Sequence, residues 1–251
     1  MAESDTDPVG TGMNFIEHTK YHHLRVSDQL RGLPAPPLQL PADETLPISD
    51  LPDTGGMASP ADLHDLIESR TSVRSYRSEA LSLSALSLML RETQGVRKVV
   101  RNIHTLRYVP SAGARHSFET YLLINRVEGL DPGIYRYLPL SHQLIQMKKG
   151  AEYAGILAKA CLDQKMVESG AVTFFWTAVI YRMKWRYSER AYRYVLLDAG
   201  HVCQNLYLSA LSLGCGVCAI AAFDDDLLNE ALGLDGTEQF AVYAASAGLL
   251  K

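Results

Sequence analysis

The stretch from Arg186 to Asp226 constrains the fold more than any other part of the chain. A Tyr- and Arg-rich approach leads into a proline-free run ending at Gly214, then a Cys/Ala segment and three aspartates. Val195, Ala199, Val202, Leu206, Ala210 and Leu213 recur at spacings of three and four, which places them on one face of an α-helix. Leu196, Cys203, Tyr207 and Leu211 cover the flanks, while Asp198, His201, Asn205, Ser209 and Ser212 share one narrow polar stripe. A helix this apolar belongs inside a protein or at an obligate interface, and the rest of the chain must supply what packs around it.

That demand can be met. A chain of 251 residues, 47% hydrophobic and 21% charged, buries a sizeable core as one large domain or a domain plus an extension. A net charge of −4 argues against general nucleic-acid binding, which needs a basic footprint. The longest apolar run, Ala171 to Ile180, is too short to span a bilayer. The start MAESDTDPVG lacks the charged and apolar regions of a signal peptide, so cytoplasmic residence is expected. Cys215 and Cys218 form a CxxC, but no second CxxC or HxxxH accompanies it, and it follows a helix rather than opening one. No metal site is expected.

Residues 1–58, rich in proline and weak in periodicity, are expected to form an extended arm, with residues 59–251 as the folded domain. The aromatic content of Asn14 to Leu24 indicates that the arm lies on the domain or on a partner subunit. Ser59, Pro60 and Asp62 start a helix whose buried face is Leu63, Leu66 and Ile67 and which ends near Arg70. A second helix runs from Leu83 to Thr93 with Leu83, Leu86, Met89 and Leu90 inward and Gly95 as its stop. Phe118–Val127, Gly133–Leu138 and His142–Met147 read as an antiparallel meander, and Val172–Tyr181 as a central strand buried on both faces. A short helix lies in AEYAGILAKAC; another, LLNEAL, is capped by an aspartate among 224–226 and stopped by Gly233, and Phe240–Gly248 is the last strand. The fold class is α+β, a mostly antiparallel sheet with helices around it.

Three pieces carry chemistry. Arg70, Ser72 and Arg74 can converge two guanidinium forks and a hydroxyl on one anion. Pro110, Ser111, Ala112 and Gly113 form a loop without bulk, which a planar ligand can approach closely; Arg107 just upstream could orient a cofactor edge or pair with an acid. Ala219, Ile220, Ala221 and Ala222 again offer backbone without bulk.

In order, R-x-S-x-R, PSAGA, GLDPGIYRYLPLSHQL, RAYRY…DAGH and AAFDDDLL resemble the nitroreductase superfamily, and more closely its SagB-type dehydrogenase branch. The resemblance covers roughly residues 60–250, and the N-terminal His18-Thr19-Lys20 is similar too. It implies an FMN-dependent α+β enzyme, an obligate homodimer and two flavin sites at the dimer interface. By motif, Arg70, Ser72 and Arg74 would hold the FMN phosphate. Pro110 to Gly113 would lie against the flavin from the other subunit, and Ala219 to Ala222 would present amides toward N5 and O4. The long helix would be the dimer core, with the Asp198–His201–Asn205 stripe a polar seam between helices. Where azole-forming members carry a catalytic Lys-Tyr pair, this chain has Arg186 and Tyr187; arginine cannot act as a base near neutral pH, so by this resemblance Tyr187 is either the proton relay, its pKa lowered by Arg186 or Arg190, or an aromatic packing at the helix entrance. Two departures stand out: Arg115-His116-Ser117 replaces the usual residues after PSAGA, and no K-x-R follows the last strand.

The expected activity is oxidation of a thiazoline or oxazoline in a modified peptide to the azole. Alternatives are an NAD(P)H-dependent nitro or quinone reductase acting on a small molecule, and a non-catalytic docking partner in a biosynthetic complex.

Overall fold

The computed structural model describes residues 10–55 and 61–251. Ser59 and Pro60 lie outside the described residues, as does the boundary expected near residue 58. In chain order the helices are α1 Thr11–His18, α2 Leu63–Ser69, α3 Leu83–Gln94, α4 Tyr153–Ala160, α5 Met166–Ser169, α6 Tyr181–Tyr187, α7 Ala191–Ser212 and α8 Asp225–Leu232. The strands are β1 Ile48–Asp50, β2 Val96–Val100, β3 His104–Arg107, β4 Phe118–Ile124, β5 Gly133–Leu138, β6 Gln143–Lys149, β7 Val172–Val179, β8 Cys215–Ile220 and β9 Gln239–Leu249.

Seven strands form one sheet in the order β1-β6-β5-β4-β7-β9-β8, with every neighbouring pair antiparallel. The pleat sends alternate residues to opposite faces. On β7, Phe174 and Trp176 enter the core shared with α3 and α7, while Phe175 enters the core shared with α4 and α8. The unbroken apolar run of β7 therefore reflects helices on both sides. The same alternation separates the CxxC: Cys215 belongs to the first core and Cys218 to the second. All four cysteines are free and buried.

Local chemistry fixes the helix ends. Asp62, Ser82 and Asp224 cap α2, α3 and α8 by accepting from His64, Ala85 and Leu227 amides. Gly233 ends α8 in the left-handed region at φ 76°.

One expectation needs correction, and two elements were not anticipated. The apolar face of α2 is not buried in this chain: Leu63 and Ile67 are 58% and 56% exposed. The segment before the PSAGA loop contains the unexpected β2–β3 hairpin. The approach to the long helix is itself helical, α6, joined to α7 through Ser188 at φ 50°.

Residues 10–55 run along the domain. The β1 strand pairs with β6, so this segment extends the sheet. Further along, Leu40 N–H donates to Glu119 at 2.8 Å, Arg182 donates to the Pro37 carbonyl at 2.8 Å and Arg136 to the Pro41 carbonyl at 2.6 Å. Glu119 and Arg182 form an ion pair at 2.6 Å, their side chains 1% and 3% exposed.

Candidate functional site

The candidate site residues fall at two ends of α7. Near its C-terminal end, residues 72–77 run beside β8. Val73 N–H donates to the Val217 carbonyl at 2.8 Å, and Arg77 N–H to the Leu249 carbonyl at 3.0 Å. Paired glycines make this approach possible. Gly216 and Gly248 face each other across β8 and β9; a Cβ on the first would meet Val73 at 2.6 Å and on the second Tyr76 at 2.8 Å. With Val73 and Tyr76 turned onto the sheet, the alternate residues Ser72 and Arg74 face outward and are exposed. Arg70 ends α2, its guanidinium 5.2 Å from the centre of the Tyr207 ring. Among the described residues neither Arg70 nor Arg74 has an acidic side chain within ion-pair distance. A hydroxyl and two guanidiniums without acidic partners, at the alternate positions 70, 72 and 74, suit a phosphate.

Tyr207 connects this group to the third piece. Its hydroxyl accepts from Ala219 N–H at 2.9 Å and lies 3.1 Å from Ser72 Oγ. The Ala219 amide is thereby committed within the chain and is not offered to a ligand. Ile220 is buried, whereas Ala221 and Ala222 are exposed beyond the end of β8. A cavity of about 220 Å³ beside Arg70 is lined by Val73, Tyr207, Gly216 and Leu250.

At the other end of α7, Asp198 holds the PSAGA loop. Its Oδ1 accepts from Ala112 N–H at 3.1 Å, while Oδ2 is buried without a hydrogen-bond partner. Burial raises the Asp198 pKa, opposed by the nearby Ser111 hydroxyl and the Ala112 amide. The loop is tied from its far side too: His116 N–H donates to Ser111 Oγ at 2.9 Å, and Arg115 Nε to the Gly113 carbonyl at 3.2 Å. Thus Arg115 and His116, which depart from the branch pattern, close the loop on itself. Burial, reinforced by Arg107 and Arg115, depresses the His116 pKa to about 2. Arg107 is also buried, donating to Gln94 at 2.6 Å and to Thr105, and among the described residues it pairs directly with no acid.

Gly113 takes φ 56°, and a Cβ there would stand 2.3 Å from the Tyr187 hydroxyl and 2.9 Å from Arg186 Nε. Tyr187 and Arg186 are therefore brought against the PSAGA loop. The Tyr187 ring meets Tyr194 edge-on at 4.7 Å, and Tyr194 OH accepts from Arg190 Nε at 2.9 Å and lies 3.1 Å from Tyr21 OH. Burial alone would raise the Tyr194 pKa; the bonds to Tyr21 and Arg190 and the charges of Arg190 and Arg193 bring it below the usual phenol range. Arg190 also donates to the Thr19 carbonyl, and Arg193 to Thr19 Oγ1 and the Ile16 carbonyl. The arginines of R-A-Y-R thus clamp the arm at His18-Thr19-Lys20, a role the motif spacing alone does not reveal. On the exposed arm, Glu17, His22 and His23 bring potential ligand atoms within 4.8 Å of one another, where Lys20 already pairs with the Glu17 carboxylate.

The structure divides the polar stripe of α7. Asp198 serves the PSAGA loop, Asn205 donates to the Glu92 carbonyl of α3 at 2.9 Å, and His201 is exposed. The stripe therefore does not act as one seam within the chain. Asp198 and Tyr207, nine positions apart, are separated by about 13.5 Å along the axis and about half a turn. One chain consequently does not bring the PSAGA loop and the Arg70–Ser72–Arg74 group onto the same side of its long helix.

The fold is thus an antiparallel α+β sheet with the Arg70–Ser72–Arg74 segment and the PSAGA loop toward opposite ends of one long helix. Residues 67–249 match the model of the nitroreductase family, and the chain belongs to that family of oxidoreductases. It is 35% identical over 170 residues to a Methanocaldococcus jannaschii protein named as a nitroreductase, covering 68% of this chain and 83% of that one. It is 29% identical over 163 residues to the trifolitoxin-processing protein TfxB of Rhizobium leguminosarum bv. trifolii, covering 62% of this chain and 44% of TfxB. A crystal structure from Anabaena variabilis, described as a nitroreductase, superposes with a TM-score of 0.68 at 27% identity, covering 82% of this chain and 42% of that one. The matched part of the chain thus spans less than half the length of the last two proteins. Among the described residues no helix is long and apolar enough to cross a membrane.

Proposed function

We propose that the chain is an FMN-dependent dehydrogenase that oxidises a thiazoline or oxazoline in a modified peptide to the azole, working as a homodimer. The observation that carries this reading is the seating of Tyr187 against Gly113 of the PSAGA loop, which joins the expected proton relay to the expected flavin platform. The name of TfxB, a toxin-processing protein, supports a peptide substrate and a biosynthetic partner that delivers it. The name of the Methanocaldococcus jannaschii relative favours the second reading, an NAD(P)H-dependent nitro or quinone reductase.

The residues fit FMN. Arg70, Ser72 and Arg74 match a phosphate dianion in charge and donor type, and no carboxylate among the described residues pairs with either arginine. The hollow beside Arg70 is about 220 Å³ and one beside Pro110 and Ser111 about 320 Å³. Ligand pockets ordinarily run from about 300 to 1,000 Å³, so the first falls below that range and the second at its lower limit. Two copies related by a two-fold axis can face the Tyr207 end of one α7 with the Asp198 end of the other. The exposed apolar side chains Leu63, Ile67, Leu196 and Leu197 supply surface for such an interface. In this reading residues 1–58 are an arm that completes the 59–251 domain. Cytoplasmic residence belongs to the same proposal, supported by four unpaired cysteines.

FMN, when bound, supplies the two-electron acceptor, with dioxygen receiving the electrons in turn. The chain supplies position and proton handling. Arg70, Ser72 and Arg74 hold the phosphate, and Pro110 to Gly113 offer a flat backbone surface. Among Ala219 to Ala222, the amides of Ala221 and Ala222 are the exposed candidates for N5 and O4. Tyr187 relays the proton lost from the azoline ring, and Arg186, which cannot act as a base, orients it.

Incubation of the protein with FMN and an azoline-containing peptide is expected to lower the peptide mass by two hydrogens. An unchanged mass across varied leader peptides, with rapid NADPH bleaching of bound flavin, would instead establish the reductase reading. A colourless protein that FMN cannot reconstitute would favour a docking role.

A further inference from the structure

We infer that Tyr207 fixes the direction of a hydrogen-bond chain that makes Ser72 an outward donor, so that this end of α7 selects a phosphorylated flavin over an unphosphorylated one. The inference rests on the reading of Arg70, Ser72 and Arg74 as the FMN phosphate site.

The polarity follows from what each group can do. The Ala219 amide has only a proton to give, so the Tyr207 oxygen, 2.9 Å away, must accept. A phenol has one proton of its own. The Tyr207 side chain is packed into the core around α7, and Ser72 Oγ stands 3.1 Å from its oxygen. The Tyr207 hydroxyl is part-buried and Ser72 Oγ is the acceptor within its reach; donation to Ser72 places that proton on an acceptor, whereas the opposite direction would leave it with none in the chain, which is costly. The chain therefore runs from the Ala219 N–H to the Tyr207 hydroxyl and on to Ser72. The Ser72 oxygen accepts from within the protein, and its own proton is left to point into solvent, where the side chain is exposed.

A phosphate dianion only accepts hydrogen bonds, so a serine with its proton turned outward suits it, whereas one whose proton is spent on Tyr207 does not. The same ring lies under the Arg70 guanidinium at 5.2 Å, within cation–π range. Tyr207 thus sets the proton of one phosphate ligand and the position of another. The Ser72 backbone is held against β8, because Ser72 bridges to Val217 and Val73 N–H binds the Val217 carbonyl. Tyr207 is a positioning residue: its hydroxyl acts on the ligand through Ser72.

The test compares FMN and riboflavin binding to the full-length apo-protein. Tyr207→Phe keeps the ring and removes only the hydroxyl. It is expected to weaken FMN roughly five- to tenfold while changing riboflavin by less than about twofold. Ser72→Ala, at an exposed position, should reproduce that loss, and the double variant should add little to it. Wild-type FMN affinity in Tyr207→Phe, or equal losses for FMN and riboflavin, would overturn the inference. Unchanged FMN affinity on replacing both Arg70 and Arg74 by Ala would overturn the parent reading instead, which keeps the two failures apart.

Discussion

The two ends of α7 do comparable work with different materials. At the Asp198 end, ionisable residues make the connections: buried Asp198 grips the PSAGA loop, half-buried Arg190 and Arg193 grip Thr19, and buried Arg115 and the uncharged His116 lock the loop from behind. At the Tyr207 end the connections are neutral, from an amide through a phenol to a hydroxyl, and the charges stay at the surface. Buried charges need partners or they destabilise the fold. The first end should therefore respond to pH and to loss of the arm, and the second mainly to loss of ligand.

The largest expected effect lies where the arm crosses the sheet. Arg182→Ala leaves Glu119 buried without its cation and frees Pro37, so unfolding in urea should show a loss of about 3–5 kcal/mol. A loss below about 1 kcal/mol would erase the proposed contrast. The Tyr207 end is expected to answer in affinity: Arg70→Ala and Arg74→Ala should each weaken FMN roughly tenfold or more in an equilibrium titration, with little change in folding stability. Next comes Gly113→Ala. Its φ of 56° is costly for alanine, about 1–2 kcal/mol, and the new Cβ displaces Tyr187. Peptide dehydrogenation should fall roughly tenfold or more, because the relay loses its position, whereas FMN phosphate contacts at the other end are untouched.

The smallest effects are in pH dependence. His116 has a folded pKa of about 2, far below the ordinary imidazole value, so the unfolded chain binds more protons between the two. Stability is then lost as pH falls from about 6.5 toward 2. His116→Asn, which tolerates the positive φ of 43°, should flatten that decline in thermal unfolding between neutral and mildly acidic pH. Asp198 has the opposite sign. Its raised folded pKa means that the folded chain holds the proton longer, so stability falls as pH rises from the unfolded carboxylate value through the raised one. Asp198→Asn keeps an acceptor for Ala112 and should remove this slope; a slope unchanged in both variants would mean that the charges at this end do not govern it.

Sheet strands were legible because they carry their own evidence. The β5 strand coincides with Gly133–Leu138, and the apolar run of β7 needed cover on both faces and has it. The α2 face was misread because Leu63, Leu66 and Ile67 have core spacing, yet spacing states that a face wants cover without stating which chain provides it. The β2–β3 hairpin escaped notice because its turn places Arg101 and Asn102 at positive φ without a glycine. At the site, R-x-S-x-R and PSAGA stood out by composition. Tyr207 did not, since at its helical position an aromatic reads as core cover, and only the fold shows its hydroxyl between Ser72 and Ala219. The clamp of Arg190 and Arg193 on Thr19 joins segments about 170 residues apart, which no local pattern encodes.

The claim that the two ends of α7 from different copies build one flavin site is tested most directly by native mass spectrometry of the protein with FMN. The account predicts a dimer holding two FMN molecules, with no flavin on the monomer. Flavin retained by single chains, or a dimer that takes up none, would contradict it.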